Sequence, residues 1–258
     1  MGFPSAGNVS VSLVVPTLNE ERNVGHVLEA LPPGIDEIIL VDGGSTDGTV
    51  GVARDVCPDL TVIQQVRRGK GNALIAGFHS ASCERIVAID ADGSMDPSEI
   101  LRFLSAMDRG AEYVRGSRFL PGGGSTDITR LRTLGNLFLN GVANVFFKTR
   151  YTDLCYGFNA MTKSSVRALD FPDPFDSSLG RVWGDGFEIE TMMSIRAVKA
   201  GLNIVEVPSF EADRISGVSN LNTFRDGSRC LRTLIAERIS TMPDAKVHDQ
   251  RLGMPGLS

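Results

Sequence analysis

The chain has 258 residues, 42% of them hydrophobic and 22% charged, a balance that supports a packed core and excludes a disordered chain. Lys and Arg total 26 against 31 Asp and Glu, and the net charge of −5 offers no basic face to a nucleic-acid backbone, so nucleic acid is not an expected partner. No run reaches the roughly 18 apolar residues of a membrane-spanning helix, because Leu134 to Phe147 is interrupted by Gly135, Asn136, Asn140, Gly141 and Asn144.

In chain order, residues 9–15 predict a strand and Pro16 to Glu21 a loop entering a helix that Pro32-Pro33-Gly34 stops. Residues 35–41 predict a second strand ending in the turn Asp42 to Gly48, followed by a helix over 49–56 and a third strand over 60–65. Arg67 to Asn72 opens the next helix, and residues 85–89 form a strand running into Asp90-Ala91-Asp92. Four apolar runs, each followed by a helical pattern, give a mostly parallel α/β sheet flanked by helices. Beyond it we expect a helix from Pro97 to Arg109, a short strand at 113–115, a glycine-rich loop over 119–129 and a helix over 130–147. A strand near the sheet edge at 156–161, an irregular stretch over 171–183, a helix over 188–200, a strand over 203–207 and a helix over 221–240 complete the pattern. Residues 1–242 read as one domain and 243–258 as a loosely held tail.

Ligands of such sheets bind outside the carboxyl ends of the strands, and three polar clusters fall there. Asp90 and Asp92, one residue apart, can reach a common hard cation if the chain leaves the strand in a turn, and Mg²⁺ or Mn²⁺ readily keeps contact with substrate phosphates. Asp42 can accept hydrogen bonds from a base or a ribose hydroxyl, while Ser45, Thr46 and Asp47 can also simply cap the following helix. Arg67, Arg68 and Lys70, interleaved with glycines at a helix start, favour a phosphate through charge and free N–H groups, or form a solvated loop. The P-loop and dinucleotide fingerprints are absent. Glu20 and Glu21 suit the positive end of a helix dipole. Glu188 and Glu190, two apart, cannot face the same way on a helix, so one of them is expected to be structural. Cys57, Cys83, Cys155 and Cys230 make no metal pattern and fit reduced thiols of a cytoplasmic protein, and His26, His79 and His248 are scattered. The first residues do not support a secretory signal.

Taken together, Val14 to Glu21, Val41 to Gly48, Gly69-Lys70-Gly71 and Asp90-Ala91-Asp92 resemble the inverting family 2 glycosyltransferases of GT-A fold. Within that family the chain is similar to the branch of dolichyl-phosphate mannose synthases and polyprenyl-phosphate glycosyltransferases; Gly157-Phe158, Gly186-Phe187-Glu188 and Arg214 to Ser219 extend the likeness.

The resemblance implies transfer of a hexose from a GDP- or UDP-sugar to a polyprenyl phosphate, with a soluble alcohol or phosphorylated metabolite as the alternative acceptor. A nucleotidyltransferase and a non-catalytic nucleotide-sugar-binding protein are the remaining alternatives. It implies that Pro16, Asn19 and Glu20 line the nucleotide pocket, Asp42 addresses the base, and Lys70 lies near the nucleotide. Asp90 and Ala91 would meet the ribose or metal-bound groups, and Asp92, with Asp90, would ligate Mg²⁺ or Mn²⁺. Arg118 and Arg130 would meet an anionic acceptor, and Arg214 and Ser219 would close on the diphosphate. An alcohol acceptor would need a base, for which Asp185 and then Glu188 are the candidates. The apolar residues of the 133–147 helix, Leu134, Leu137, Phe138, Val142, Val145, Phe146 and Phe147, are expected to pack on the core, with peripheral contact to the inner face of a membrane as the other use.

Overall fold

The computed structural model describes residues 9–217 and 222–240; the boundary expected at residue 242 and the tail beyond it lie outside these. The first strands and helices alternate as β1 (Val11–Thr17), α1 (Val24–Glu29), β2 (Glu37–Asp42), α2 (Thr49–Val56), β3 (Thr61–Gln64), α3 (Lys70–Ser80) and β4 (Arg85–Ala88). They continue with α4 (Ile100–Asp108), β5 (Tyr113–Ser117), β6 (Gly124–Ser125), α5 (Arg130–Phe147), β7 (Asn159–Thr162) and α6 (Lys163–Ala168). Last come α7 (Ile189–Lys199), β8 (Ile204–Pro208), β9 (Phe210–Glu211) and α8 (Thr223–Ile239).

Seven strands form one sheet in the order β3-β2-β1-β4-β7-β5-β8. All neighbours run parallel except β7, which is antiparallel to both β4 and β5. The sheet is therefore the expected α/β type, with one correction: the strand placed near an edge lies in the interior, where Ala160 pairs with both Val87 and Val114. The Asn-Ala-Met-Thr strand is short and weakly patterned, and its place is set by long-range pairing rather than by its own propensity. Helix α6 was not expected; Thr162 starts it by accepting a hydrogen bond from Ser165 N.

Alternation along β1 sends Val11, Leu13 and Val15 to the layer packed by α1, α2 and α4, and Val14 to the layer packed by α3, α6 and α7. On that second face Gly77 of α3 rests on Val14 so closely that a Cβ would overlap the valine methyl. A third cluster joins α5, α7 and α8. Two carboxylates clamp α7 and its N-terminal turn to α8: Arg229 donates to Glu188, with Nη2–Oε1 at 2.6 Å, and Arg196 and Lys199 donate to Glu237 at 2.9 and 2.8 Å.

Helix α5 departs from expectation. Its buried stripe is Asn136, Leu139, Asn140 and Ala143, and the three asparagines at 136, 140 and 144 hold the 151–154 segment. Consequently Leu134 (65% exposed), Phe138 (59%) and Val145 (77%) face outward with Leu137 and Phe146, while Val142 and Phe147 are partly packed. The amides win the interior because that segment presents backbone groups that need partners. Among the described residues no helix is long and apolar enough to cross a membrane.

Gly77→Ala is expected to lower stability by about 1–3 kcal/mol through overpacking, measured as a shift in the urea midpoint at unchanged slope. The clamp also has a pH signature. Burial alone would raise the Glu188 and Glu237 carboxyls, but the hydrogen bonds from Arg229, and from Lys199 and Arg196, hold both below their ordinary value. Stability from such lowered groups is present above the unfolded value near 4.5 and is lost as pH falls through the folded one. Trp183, which donates to Thr233 Oγ1 at 3.0 Å and stacks under Arg229, is the only tryptophan. Its fluorescence should change reversibly only below about pH 4.5; a change complete at higher pH would contradict the clamp.

Candidate active site

The carboxyl ends of β1 to β4 open onto a cavity of about 620 Å³ that also touches the starts of α3, α5 and α8. Its floor holds Asp90, Ala91 and Asp92, which follow β4 after the single residue Ile89. Lys70, first residue of α3, places Nζ 2.7 Å from Asp90 Oδ1 and 3.4 Å from Glu190 Oε1. Burial would depress the lysine, but Asp90 and Glu190 more than offset that and raise it, so it is a permanent cation. Burial conversely pushes the Glu190 carboxyl up, opposed by Lys70.

Across the floor, Arg214 Nη1 lies 3.2 Å from Asp92 Oδ2 and Nη2 lies 2.6 Å from Glu20 Oε1. The arginine is delivered by a segment tied back to the acidic turn, since Ala212 N donates to Ser94 O and Ile215 N to Asp92 O. Ser219 lies outside the described residues.

Several expected residues serve the site without lining it. Asn19, in the left-handed region at φ 57°, accepts from Thr46 N at 2.8 Å and takes Ser45 Oγ on its own N–H. Asp42 is buried and accepts from Ser45 N at 3.1 Å, so the lining there comes from Gly43 and Gly44. Pro16 and Glu20 do line the cavity; Pro16 belongs to the end of β1 rather than to a loop.

The basic loop divides. Arg67 is buried, donating to both oxygens of Asp185 at 3.1 and 3.2 Å and to the carbonyls of Asp173 and Asp176. The α3 N-terminus is not free for a phosphate, because Gly71 N donates to Asp185 O at 2.9 Å. Only Arg68 and Lys70 of the three cations reach the cavity. Asp185 is thus occupied in bracing the loop, and Glu188 in the clamp on Arg229. Neither lines the cavity, which corrects their expected placement as bases. Glu190 is the acid of that pair that reaches it, on the opposite side of the helix start from Glu188; the two-residue spacing was the signal.

At the far end Arg118 lines the cavity but is held by Asp153, with Nε–Oδ2 at 2.7 Å, and by Glu211 at 2.9 Å. Arg130 does not reach the cavity, whereas Arg132, two residues on, does, beside Asp127 at 3.2 Å. Phe187, from the Gly186-Phe187-Glu188 motif, also lines the cavity, and Asn136, Tyr156 and Asp226 are further lining residues that sequence reasoning missed. These last three come from elements far apart in the chain, and no local motif marks them.

Among the described residues no three His, Cys, Asp or Glu side chains form a metal cage. Asp90 and Asp92 nonetheless fit a hard divalent cation of the Mg²⁺ or Mn²⁺ kind, which takes one or two carboxylates and completes its shell with water and phosphate oxygens. Both acids are partly open to the cavity and already attract cations, Lys70 and Arg214.

The model of glycosyl transferase family 2 matches residues 12–169. Polyprenol monophosphomannose synthase of Mycolicibacterium smegmatis is 30% identical over 222 residues, covering 81% of this chain and 80% of that protein. Undecaprenyl-phosphate mannosyltransferase of Micrococcus luteus is 30% identical over 225 residues, covering 82% and 87%. In fold, the chain is similar to glucosyl-3-phosphoglycerate synthase from Mycobacterium tuberculosis, solved in complex with Mn²⁺, UDP-glucose and phosphoglyceric acid. That likeness has a TM-score of 0.68 at 22% identity and covers 90% of this chain and 80% of the other.

Asp92→Ala is expected to abolish Mn²⁺-dependent binding of UDP and GDP in calorimetric titration while leaving the protein folded, at a cost of about 1–3 kcal/mol for the lost bonds to Arg214 and Ser94 N. Equal metal-dependent binding by wild type and variant would remove Asp92 from the metal site.

Proposed function

The chain belongs to glycosyl transferase family 2, with the GT-A arrangement of a helix-flanked, mostly parallel sheet, and from that premise we propose that it moves a sugar from a nucleoside diphosphate to a phosphorylated acceptor in one inverting displacement. The observation that carries this reading is the opposition, across one cavity, of Lys70 on Asp90 and Arg214 on Asp92. Such a site holds an anion and a cation together.

Bound by Asp92 with Asp90, Mg²⁺ or Mn²⁺ would supply charge neutralisation for the departing diphosphate. Arg214, on a segment anchored to the acidic turn, is placed to transfer from Asp92 and Glu20 to the diphosphate oxygens as their charge grows. Pro16, Gly43, Gly44 and Gln65 line the end that would receive the nucleoside. Where a phosphate oxygen of the acceptor attacks, it is already anionic at neutral pH and requires no base, consistent with Asp185 and Glu188 being committed elsewhere, whereas attack by a hydroxyl of such a molecule would require a base other than these two.

For the acceptor, the fold likeness to a phosphoglycerate-binding enzyme favours a soluble phosphorylated metabolite. At the far end Arg132, Asp127, Asn136 and Asp226 offer polar groups to a small hydrophilic molecule, beside the apolar Ile128 and Leu139. One observation supports polyprenyl phosphate as a second reading: the outward Leu134, Phe138 and Val145 lie on the helix whose other side lines that same end, and curated relatives act on lipid phosphates by name. On this second reading the apolar face would rest on a membrane at its cytoplasmic side.

Transfer from UDP-glucose and GDP-mannose with Mn²⁺ separates the two. We expect product with 3-phosphoglycerate or glycerol 3-phosphate in the absence of lipid, and unchanged rates, within about twofold, in the double variant Leu134→Ser, Phe138→Ser, because both side chains are exposed. Product only with polyprenyl phosphate in vesicles, lost in that variant, selects the lipid reading. Absence of transfer to either class of acceptor sinks the proposal.

A further inference from the structure

Two of the four cysteines meet in the wall of the cavity. Cys155 lines it beside Tyr156 and Gly157, and Cys230 lines it one turn of α8 after Asp226 and Gly227. Cys230 is buried in the cluster that joins α5, α7 and α8, Cys155 packs against that cluster, and the two thiols share a hydrogen bond. Cys57 at the end of α2 and Cys83 before β4 lie elsewhere. All four are free thiols.

Both partners are presented by fixed backbone. On one side Leu154 N donates to Asn140 Oδ1 at 2.9 Å, Leu154 O accepts from Arg115 Nη2 at 3.1 Å, and Asp153 is held by Arg118 at 2.7 Å. On the other, Cys230 sits inside α8 between Arg229, bound to Glu188, and Thr233, which accepts from Trp183 Nε1 at 3.0 Å. The pair is chemically unequal. The hydrogen bond from Cys155 holds the Cys230 thiol below its ordinary value, and the same bond, with burial, pushes Cys155 well up. A thiol that ionises readily, is reached from an open cavity and touches a second thiol is the arrangement that a peroxide oxidises to a disulfide rather than to a higher acid.

We propose that Cys155 and Cys230 are a redox modification site, which hydrogen peroxide closes into a disulfide tying α8 to the 151–157 segment across the far end of the cavity, and which a thiol reductant reopens. The Cys230 thiolate attacks one peroxide oxygen, the O–O bond breaks, and the departing hydroxide takes a proton to become water. The Cys155 thiol then attacks the sulfenic sulfur, forming the S–S bond, and the sulfenic hydroxyl leaves as a second water with the Cys155 proton. Two thiols are oxidised and one peroxide is reduced. The bridge narrows the end where an acceptor would enter and leaves the end lined by Pro16, Gly43 and Gly44 untouched.

The test treats the whole chain with a small excess of hydrogen peroxide, then alkylates it under denaturing conditions and maps it by mass spectrometry without reduction. One disulfide between the Cys155 and Cys230 peptides is expected, with Cys57 and Cys83 alkylated, and dithiothreitol should restore all four thiols. Trp183, which contacts Arg229 and Thr233 on either side of Cys230, reports the closure before denaturation. Its emission should shift on oxidation of wild type and of Cys57→Ser, and not of Cys230→Ser. Cys155→Ser should stop at a sulfenic acid on Cys230 that dimedone captures, and Cys230→Ser should form neither product at the same dose. The oxidised chain should unfold at higher urea than the reduced one, because the bridge restricts the unfolded chain. Recovery of all four thiols, or a disulfide through Cys57 or Cys83, overturns the site, and a Cys155–Cys230 bridge with unchanged Trp183 emission overturns the closure. None of these readouts requires sugar transfer, so their failure is distinguishable from failure of the proposed function.

Discussion

Four of the carboxylates that line the cavity, Glu20, Asp90, Asp92 and Glu190, are held at the end of the sheet by two cations placed among them. Like charges this close repel strongly where water is scarce. Lys70 bridges Asp90 and Glu190, and Arg214 bridges Asp92 and Glu20. Each pairing brings together residues distant in sequence, so the acidic cluster also organises the chain: α3, α7 and the 211–217 segment are drawn to the end of β4 by charge as well as by packing. The same arrangement leaves the acids able to exchange a protein cation for a metal ion and its phosphates without exposing bare charge.

That convergence needs close backbone approach, which two glycines permit. Gly69 takes φ 129°, a conformation closed to most side chains, and a Cβ there or on Gly71 would overlap the carbonyl oxygens of Asp185 and Gly184. The loop before α7 thereby seats its carbonyl on the first N–H groups of α3, with Arg67 and Asp185 closing the joint. A segment that reads as a phosphate loop is thus half structural: Arg67 braces, while Lys70 and Arg68 face the cavity.

Helix α5 shows a second division of labour. Its buried amides carry the 151–154 segment, whose Asp153 holds Arg118, and Arg118 in turn holds Glu211. An arginine expected to greet an anionic acceptor is instead neutralised by two carboxylates, and Arg132 takes the position nearer the open end. Because asparagines occupy the inner stripe, leucine and phenylalanine are left on the outer one, an inversion of the usual amphipathic order that gives the acceptor question its two answers.

The sequence by itself determined the alternation of the first four βα units, the rim on which the polar clusters lie, the span of α5 and the acidic pair after β4, because period-two and helical patterns and strand-end motifs are local properties. It also exposed the conflict between Glu188 and Glu190, through spacing alone. Tertiary structure decided the interior place of β7, the inward face of α5, and which acids and bases remain available: Asp185 and Glu188 to their arginines, Glu190 to the cavity. Those choices depend on partners a hundred or more residues away for Arg67 and some forty for Glu188. A charged side chain's role is fixed by what neutralises it, and only the folded chain brings that partner within reach.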